Sequence, residues 1–246
     1  MGEKIRLDKM LSNMGKGTRS EVKDALRFGQ VKVNGMTVRV GKEKIDSDED
    51  EVTYRGEIVT YKKYLYLMLN KPQGVISATE DNHHETVIDL IDESYKHYEL
   101  FPVGRLDIDT EGLLIITNDG ELTHNLLSPK KHVPKTYIAK VEGVVGDADI
   151  DAFAKGIVLD DGYACKPAEL IIDSVKDGFS NVTLTIHEGK FHQVKRMFEA
   201  QGGLVVYLKR TMMNALTLDP ELELGSYKEL SEDELKLLVQ GVEINQ

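Results

Sequence analysis

Residues 104–114 read Gly-Arg-Leu-Asp-Ile-Asp-Thr-Glu-Gly-Leu-Leu, which sets two carboxylates, Asp107 and Asp109, and the guanidinium of Arg105 between two glycines. Apolar residues flank this run on both sides (Phe101 to Val103, Leu113 to Ile116), so it reads as a polar turn joining two strands. Glycine at each end lets the backbone bend sharply or approach a ligand closely. An ionised carboxylate in such a place can attack as a nucleophile or accept a proton. Taken alone, a turn of this kind is more often a solvated loop than a reacting one, so the choice rests on the rest of the chain. Two residues apart, the aspartates would point opposite ways if the turn stays extended, which gives them different roles. A glycosidase pair fits poorly, because its carboxyl groups must flank a bond ~5–9.5 Å apart.

The elements that must position this turn can be read from periodicity. Ile5, Leu7, Met10 and Leu11 fit one face of a short helix. Thr18-Arg19-Ser20-Glu21 is a capping box opening a second helix with the apolar stripe Val22, Ala25 and Leu26, and Gly29 is placed to close it in a left-handed cap. Val31 to Val38 reads as a hairpin turning at Asn34-Gly35. The acidic run Asp46 to Glu51 opens an expected linker over residues 46–61, leaving modules at 1–45 and 62–246. Beyond it, strands are expected at Tyr64–Leu69, Lys135–Val141, Ala168–Ile172 and Asn181–Ile186. Helices are expected at Thr86–Ile91, Leu122–Leu127, Ile150–Ala154 and Phe191–Ala200, and after the capping box Ser231–Glu234. Without regular βαβ spacing, the fold class is α+β with a mixed, mostly antiparallel sheet and flanking helices.

Composition narrows the setting. The 246 residues hold one cysteine, Cys165, so no internal disulfide or multi-cysteine metal site can form. The chain has no run of ~20 apolar residues and no apolar leader, so a reduced, cytoplasmic protein with no membrane partner is expected. Net charge is −11, but residues 1–44 carry eleven Lys/Arg against five acids, a net of +6 on a body of −17. Such asymmetry points to a basic module attached to an acidic body.

Two sets of motifs then coincide with known families. Arg6-Leu7-Asp8-Lys9, Thr18-Arg19 and Gly29-Gln30-Val31-Lys32-Val33-Asn34-Gly35 resemble the S4 RNA-binding domain, a small α/β module. That resemblance implies RNA contacts by Lys9, Arg19, Lys23 and Arg27, the last two spaced four apart on one helix face. Met68-Leu69-Asn70-Lys71-Pro72-Gln73-Gly74, the turn 104–113, Lys135-Thr136-Tyr137 and Glu188-Gly189-Lys190-Phe191-His192-Gln193-Val194-Lys195-Arg196-Met197-Phe198 resemble, in order, the RsuA family of ribosomal-RNA pseudouridine synthases. Lys166-Pro167-Ala168 resembles the branch acting on small-subunit (16S) RNA. The implied activity is isomerisation of a specific uridine in ribosomal RNA, free or in an assembly intermediate, by a monomer that needs no cofactor and no metal. The same residues without activity would make an RNA-binding ribosome-assembly factor.

The resemblance implies that Asp107 is the essential carboxylate and that Asp109 is structural. A carboxylate in a nucleobase-sized apolar pocket tends to be protonated unless a cation lies beside it. Counting from Phe191 at 100° per residue, Val194, Met197 and Phe198 form an apolar arc, with Lys195 flanking it at about 40° and Arg196 away from it at about 140°. Lys195 is therefore the expected partner of Asp107, while Arg196 and Lys190 are expected to face RNA. The resemblance places Tyr137 against the target base, with its hydroxyl near the sugar. Arg105 would hold the extruded nucleotide or its phosphate. Lys71, counted among the RNA-facing residues, is also suited to bracing the cleft from its Pro/Gly turn. His83, His84 and His192 are not expected to form a site.

Overall fold

A computed structural model describes residues 4–242, which divide into two compact units: residues 4–65 with 92–99, and residues 66–91 with 100–242. In the first unit, β1 (Lys4–Arg6) leads into α1 (Leu7–Asn13) and α2 (Arg19–Arg27). Ile5 thus lies in a strand, where it pairs with Ile45 across β1 and β4 (Lys44–Asp46), and the first helix starts two residues later than the apolar spacing suggests. Both halves of the Thr18/Glu21 capping box form. Gly29, at φ +74°, closes α2 with paired bonds from Gly29 N–H to Leu26 and from Gln30 N–H to Ala25.

β2 (Val31–Val33) turns through Asn34-Gly35 into β3 (Met36–Thr37), and β2 pairs on its other side with β5 (Val52–Tyr54), which pairs with β6 (Glu57–Ile58). This corrects the expected linker at 46–61. Its acids serve as local hydrogen-bond acceptors that shape a turn: Asp50 accepts from the Asp46 amide (2.7 Å) and Asp46 from the Asp48 amide (3.1 Å). Val52, Tyr54 and Val59 then enter the core beside Leu7, Leu11, Val22, Leu26 and Val31.

Among the described residues, the second unit is built on a nine-stranded mixed sheet. Its main path runs β11 (Glu169–Lys176), β12 (Phe179–Ile186), β10 (Lys135–Glu142), β13 (Leu204–Met213), β9 (Glu111–Thr117), β7 (Tyr66–Lys71) and β15 (Tyr227–Glu229). β8 (Phe101–Pro102) pairs with β9, and β14 (Leu216–Thr217) with β13. Among the described strands of this sheet, all pairings are antiparallel except β9 with β13. The unbroken run Leu113 to Ile116 makes β9 a strand buried on both faces, as a continuous apolar stretch requires.

Helices α3 (Gly120–Leu127), α4 (Asp147–Lys155), α5 (Gln193–Glu199) and α6 (Glu232–Leu238) flank the sheet. Asp119 caps α3 by accepting from the Leu122 amide (3.0 Å), and Leu122 and Leu126 pack with Met68, Val103, Leu113 and Ile115. Residues 86–91, expected as a helix, form a turn in which the Asp89 carboxylate accepts from the Thr86 amide and hydroxyl, so no helical ladder extends. No helix among the described residues is long and apolar enough to cross a membrane.

Candidate active site

The acidic turn between β8 and β9 is fastened from beneath. Lys71, at the end of β7, is fully buried, and its ammonium donates to the carbonyls of Pro72 (2.9 Å), Asp107 (3.0 Å) and Thr110 (3.0 Å), and more weakly to Ile108 (3.4 Å). Burial pushes its pKa down to about 8, against the opposing charges of Asp109, Asp107 and Glu111. Lys71 is therefore a brace and not an RNA contact: no face of it reaches solvent. A second fastening comes from Ser77, whose hydroxyl donates to the Leu106 carbonyl (2.9 Å) and accepts from its amide (3.0 Å). Gly112, at φ +102°, lies so close to β13 that a Cβ there would sit 2.2 Å from the Arg210 carbonyl oxygen. A main chain held at so many points presents its side chains in a fixed place.

The turn opens into a cavity of about 970 Å³ lined by residues of the second unit, among them Arg105, Asp107, Tyr137, Lys190, His192 and Lys195. Lys195 projects from α5 to lie 3.3 Å from one Asp107 oxygen and 2.6 Å from Asp109. The cation thus stands where the helix geometry places it, but it holds two carboxylates. Asp109 does not point away, because the turn is not extended: the Thr110 amide bonds back to the Asp107 carbonyl (3.0 Å) and folds the two aspartates onto one side. Burial opposes ionisation of Asp109, and the hydrogen bond and charge of Lys195 outweigh it, holding the carboxyl below its usual range.

His192, not expected from the sequence to form a site, lies beside Asp107. It is the residue before α5, in a left-handed conformation (φ +48°), which brings Nε2 to 3.7 Å from the second Asp107 oxygen. Its ring stacks on the exposed ring of Phe191 at 3.8 Å. The helix starts only at Gln193, whose side chain accepts from the Lys190 amide (2.9 Å) and donates to Glu188 (2.7 Å). Buried Glu188 also accepts from the Tyr163 hydroxyl (2.7 Å) and the Lys166 amide (2.9 Å), so its carboxyl stays below its usual range although burial opposes this. The bond to Glu188 pushes the Tyr163 hydroxyl up to about 12. This network sets the approach of α5, and so of Lys195, to the acidic turn.

The other expected contacts divide. Tyr137, on β10, is almost buried and forms part of the cavity wall. Arg105 and Lys190 are exposed on the cavity lining, with Lys190 over the Tyr163 ring at 4.7 Å. Arg196 does not stand open to a phosphate; Asp160 and Asp161 grip its guanidinium. In the first unit Lys9 is exposed, and Arg19, Lys23 and Arg27 are exposed at four-residue intervals along one face of α2. Among the described residues no group of three or more His, Cys, Asp or Glu side chains is placed to hold a metal ion.

An ionised carboxylate beside a lysine, in a cavity of nucleotide size with an aromatic wall, can attack or deprotonate a sugar carbon while a planar base lies against the ring. Comparison with known proteins agrees with this chemistry. Residues 65–200 match the family described as RNA pseudouridylate synthase, and residues 5–52 match the S4 domain. An uncharacterized RNA pseudouridine synthase of Bacillus subtilis (strain 168) is 50% identical over 95% of this chain and 98% of its own length. The ribosomal small subunit pseudouridine synthase A of Escherichia coli (strain K12) is 39% identical over 96% of this chain and 100% of its own. A crystal structure of a pseudouridylate synthase, 39% identical, superposes with a TM-score of 0.66 over 96% of this chain and 100% of that one. The chain belongs to the RNA pseudouridine synthase family, with an S4 domain ahead of the catalytic one in sequence.

Proposed function

We propose that this enzyme converts one uridine of small-subunit ribosomal RNA to pseudouridine, with Asp107 as the essential carboxylate. The observation that carries the reading is the Asp107 side chain in the cavity, 3.3 Å from the Lys195 ammonium. The atoms to be exchanged are out of reach while the uridine is stacked, so the nucleotide must leave its helix and enter the cavity. Tyr137 offers a flat surface to the base, and Arg105 and Lys190 offer charge to its phosphate. Lys195 sets a positive charge beside Asp107, whose oxygen can attack C1′ or take a sugar proton. The small-subunit assignment is supported by the relatives of that name and by Lys166-Pro167-Ala168. In this reading the enzyme acts as a monomer in the cytoplasm, on ribosomal RNA that is free or in an assembly intermediate.

Mapping pseudouridine in ribosomal RNA from cells with and without this protein tests the reading. One small-subunit position should lose its modification, and an unchanged map would refute the proposal. Two further results are expected of purified protein. Lys195→Met should lower single-turnover rates by about 10²-fold, because a preorganised charge at the reacting carboxylate is lost. Arg196→Met should lose less, since it breaks a surface pairing with Asp160 and Asp161. The reverse ranking would displace Lys195 from its role. Replacing Arg19, Lys23 and Arg27 together by Gln should flatten the dependence of RNA affinity on salt by roughly 2 in log–log slope, as loss of about three phosphate contacts requires. An unchanged slope would show that this face of α2 does not meet phosphate.

A further inference from the structure

The floor of the cavity carries two cations that the chemistry above does not use. Tyr137 on β10 and Arg210 on β13 are direct partners across the sheet, and Lys135 stands two residues before Tyr137 on the same face. All three line the cavity with Asp107. Arg210 is 2% exposed; its Nε donates to the Leu113 carbonyl (2.8 Å), while its buried Nη2 has no partner. Lys135 is 8% exposed, and its ammonium gives one hydrogen bond, to the Val133 carbonyl (3.0 Å). The hydroxyl of Thr110, also on the cavity lining, is buried without a partner. Burial and, to a lesser extent, the charge of Arg210 push the Lys135 pKa down to about 8.

Arginine stays charged in a protein, and a buried donor left unpaired is unfavourable. Two such groups on one wall, beside the reacting carboxylate, leave room for electron-rich oxygens. A phosphate is the less suitable occupant, since it remains on the RNA backbone, where the exposed Arg105 and Lys190 can meet it. The base is what enters, and uracil presents O2 and O4. We propose that Arg210, assisted by Lys135, binds the uracil oxygens and stabilises the base as an anion when it leaves the sugar.

This inference rests on the proposed reaction and supplies a step it needs. When the N1–C1′ bond breaks, its electron pair stays on the base, spread over N1, O2 and O4. The sugar balances this by bonding C1′ to an Asp107 oxygen or by yielding a proton to it. After the base turns, C5 donates an electron pair to C1′, Asp107 is released or returns its proton, and the hydrogen on C5 is lost as N1 gains one. The cations hold the negative charge between these two events.

The test uses RNA carrying uridine or 5-fluorouridine at the mapped position, with single-turnover loss of the nucleoside as the readout. Fluorine withdraws electrons and stabilises the departing base, so it should compensate for a missing cation. Arg210→Met should lower the uridine rate by about 10²-fold, lower RNA affinity far less than the rate, and raise the 5-fluorouridine-to-uridine rate ratio at least ~10-fold over that of the unaltered enzyme. Arg210→Lys, which keeps the charge, should recover part of both effects. Should Arg210→Met fail to melt cooperatively, Lys135→Met is read in the same way. An unchanged ratio in a folded variant, or loss of folding in both, would make the cations structural and overturn the inference. Absence of pseudouridine from the unaltered enzyme would instead remove the underlying reading.

Discussion

Asp107→Asn should abolish pseudouridine formation, by at least about 10³–10⁴-fold, while RNA affinity stays within a factor of two or so. The substitution preserves shape and leaves the main-chain carbonyl that Lys71 holds. Lys195 keeps its shorter pairing with Asp109, so α5 retains its anchor. What disappears is the anionic oxygen that must attack or deprotonate the sugar, and an amide does neither. Quantifying pseudouridine by mass spectrometry, beside a binding isotherm on the same RNA, separates chemistry from recognition. Activity above about one hundredth of the unaltered rate would exclude Asp107 as the reacting group and turn attention to Asp109, which shares the same lysine.

Lys71→Met should destabilise the catalytic unit by about 3 kcal/mol and lower its melting temperature by roughly 6–12 °C. Two effects oppose each other. Removing a buried ammonium relieves desolvation of about 3 kcal/mol, on the scale of the fall in pKa from 10.5 to about 8. Against this, the carbonyls of Pro72, Asp107 and Thr110 lose the three N–H donors of the ammonium, each bond contributing about 1.5–3 kcal/mol. The second effect is the larger. Activity measured well below the melting temperature should fall more than stability does, because the turn carrying Asp107 loses its brace. Calorimetry with a parallel rate measurement decides: an unchanged melting temperature with full activity would show that Ser77 and the strand pairing suffice to hold the turn.

The parts of this site legible in the sequence are those governed by local rules. The acidic turn announces itself by its glycines, the helix starts by their capping boxes, and Lys195 by its angle from the apolar arc of α5. What escaped was set by contacts distant in sequence. Lys71 sits next to a Pro/Gly turn and looks solvated from its neighbours alone; its burial depends on residues 107–110 folding over it. The direction of Asp109 depends on a main-chain bond closing the turn, and that of His192 on a left-handed residue that delays the helix. β13 carries its two basic residues inside an otherwise apolar run, so its alternation is blurred, and Arg210 is recognisable as part of the cavity only once β13 lies between β9 and β10. Residues 46–61 look like a linker by charge, yet their strands are specified by Val52 and Tyr54 pairing with Val33 and Val31, 19 and 23 residues away, and by Val59 joining the same core.

The close approach of Gly112 to Arg210 bears on how such an enzyme can change. At this parallel junction the spacing between the turn bearing Asp107 and the strand bearing Arg210 is set by main chain against main chain. Elsewhere in the core a lost methyl group can be offset by a neighbour repacking, so distances drift over successive substitutions. Here there is no side chain to trade, and even a single added carbon is excluded. The residues at the cavity mouth are free to vary and to select another RNA, while the separation between the groups that would break and remake the glycosidic bond stays the same.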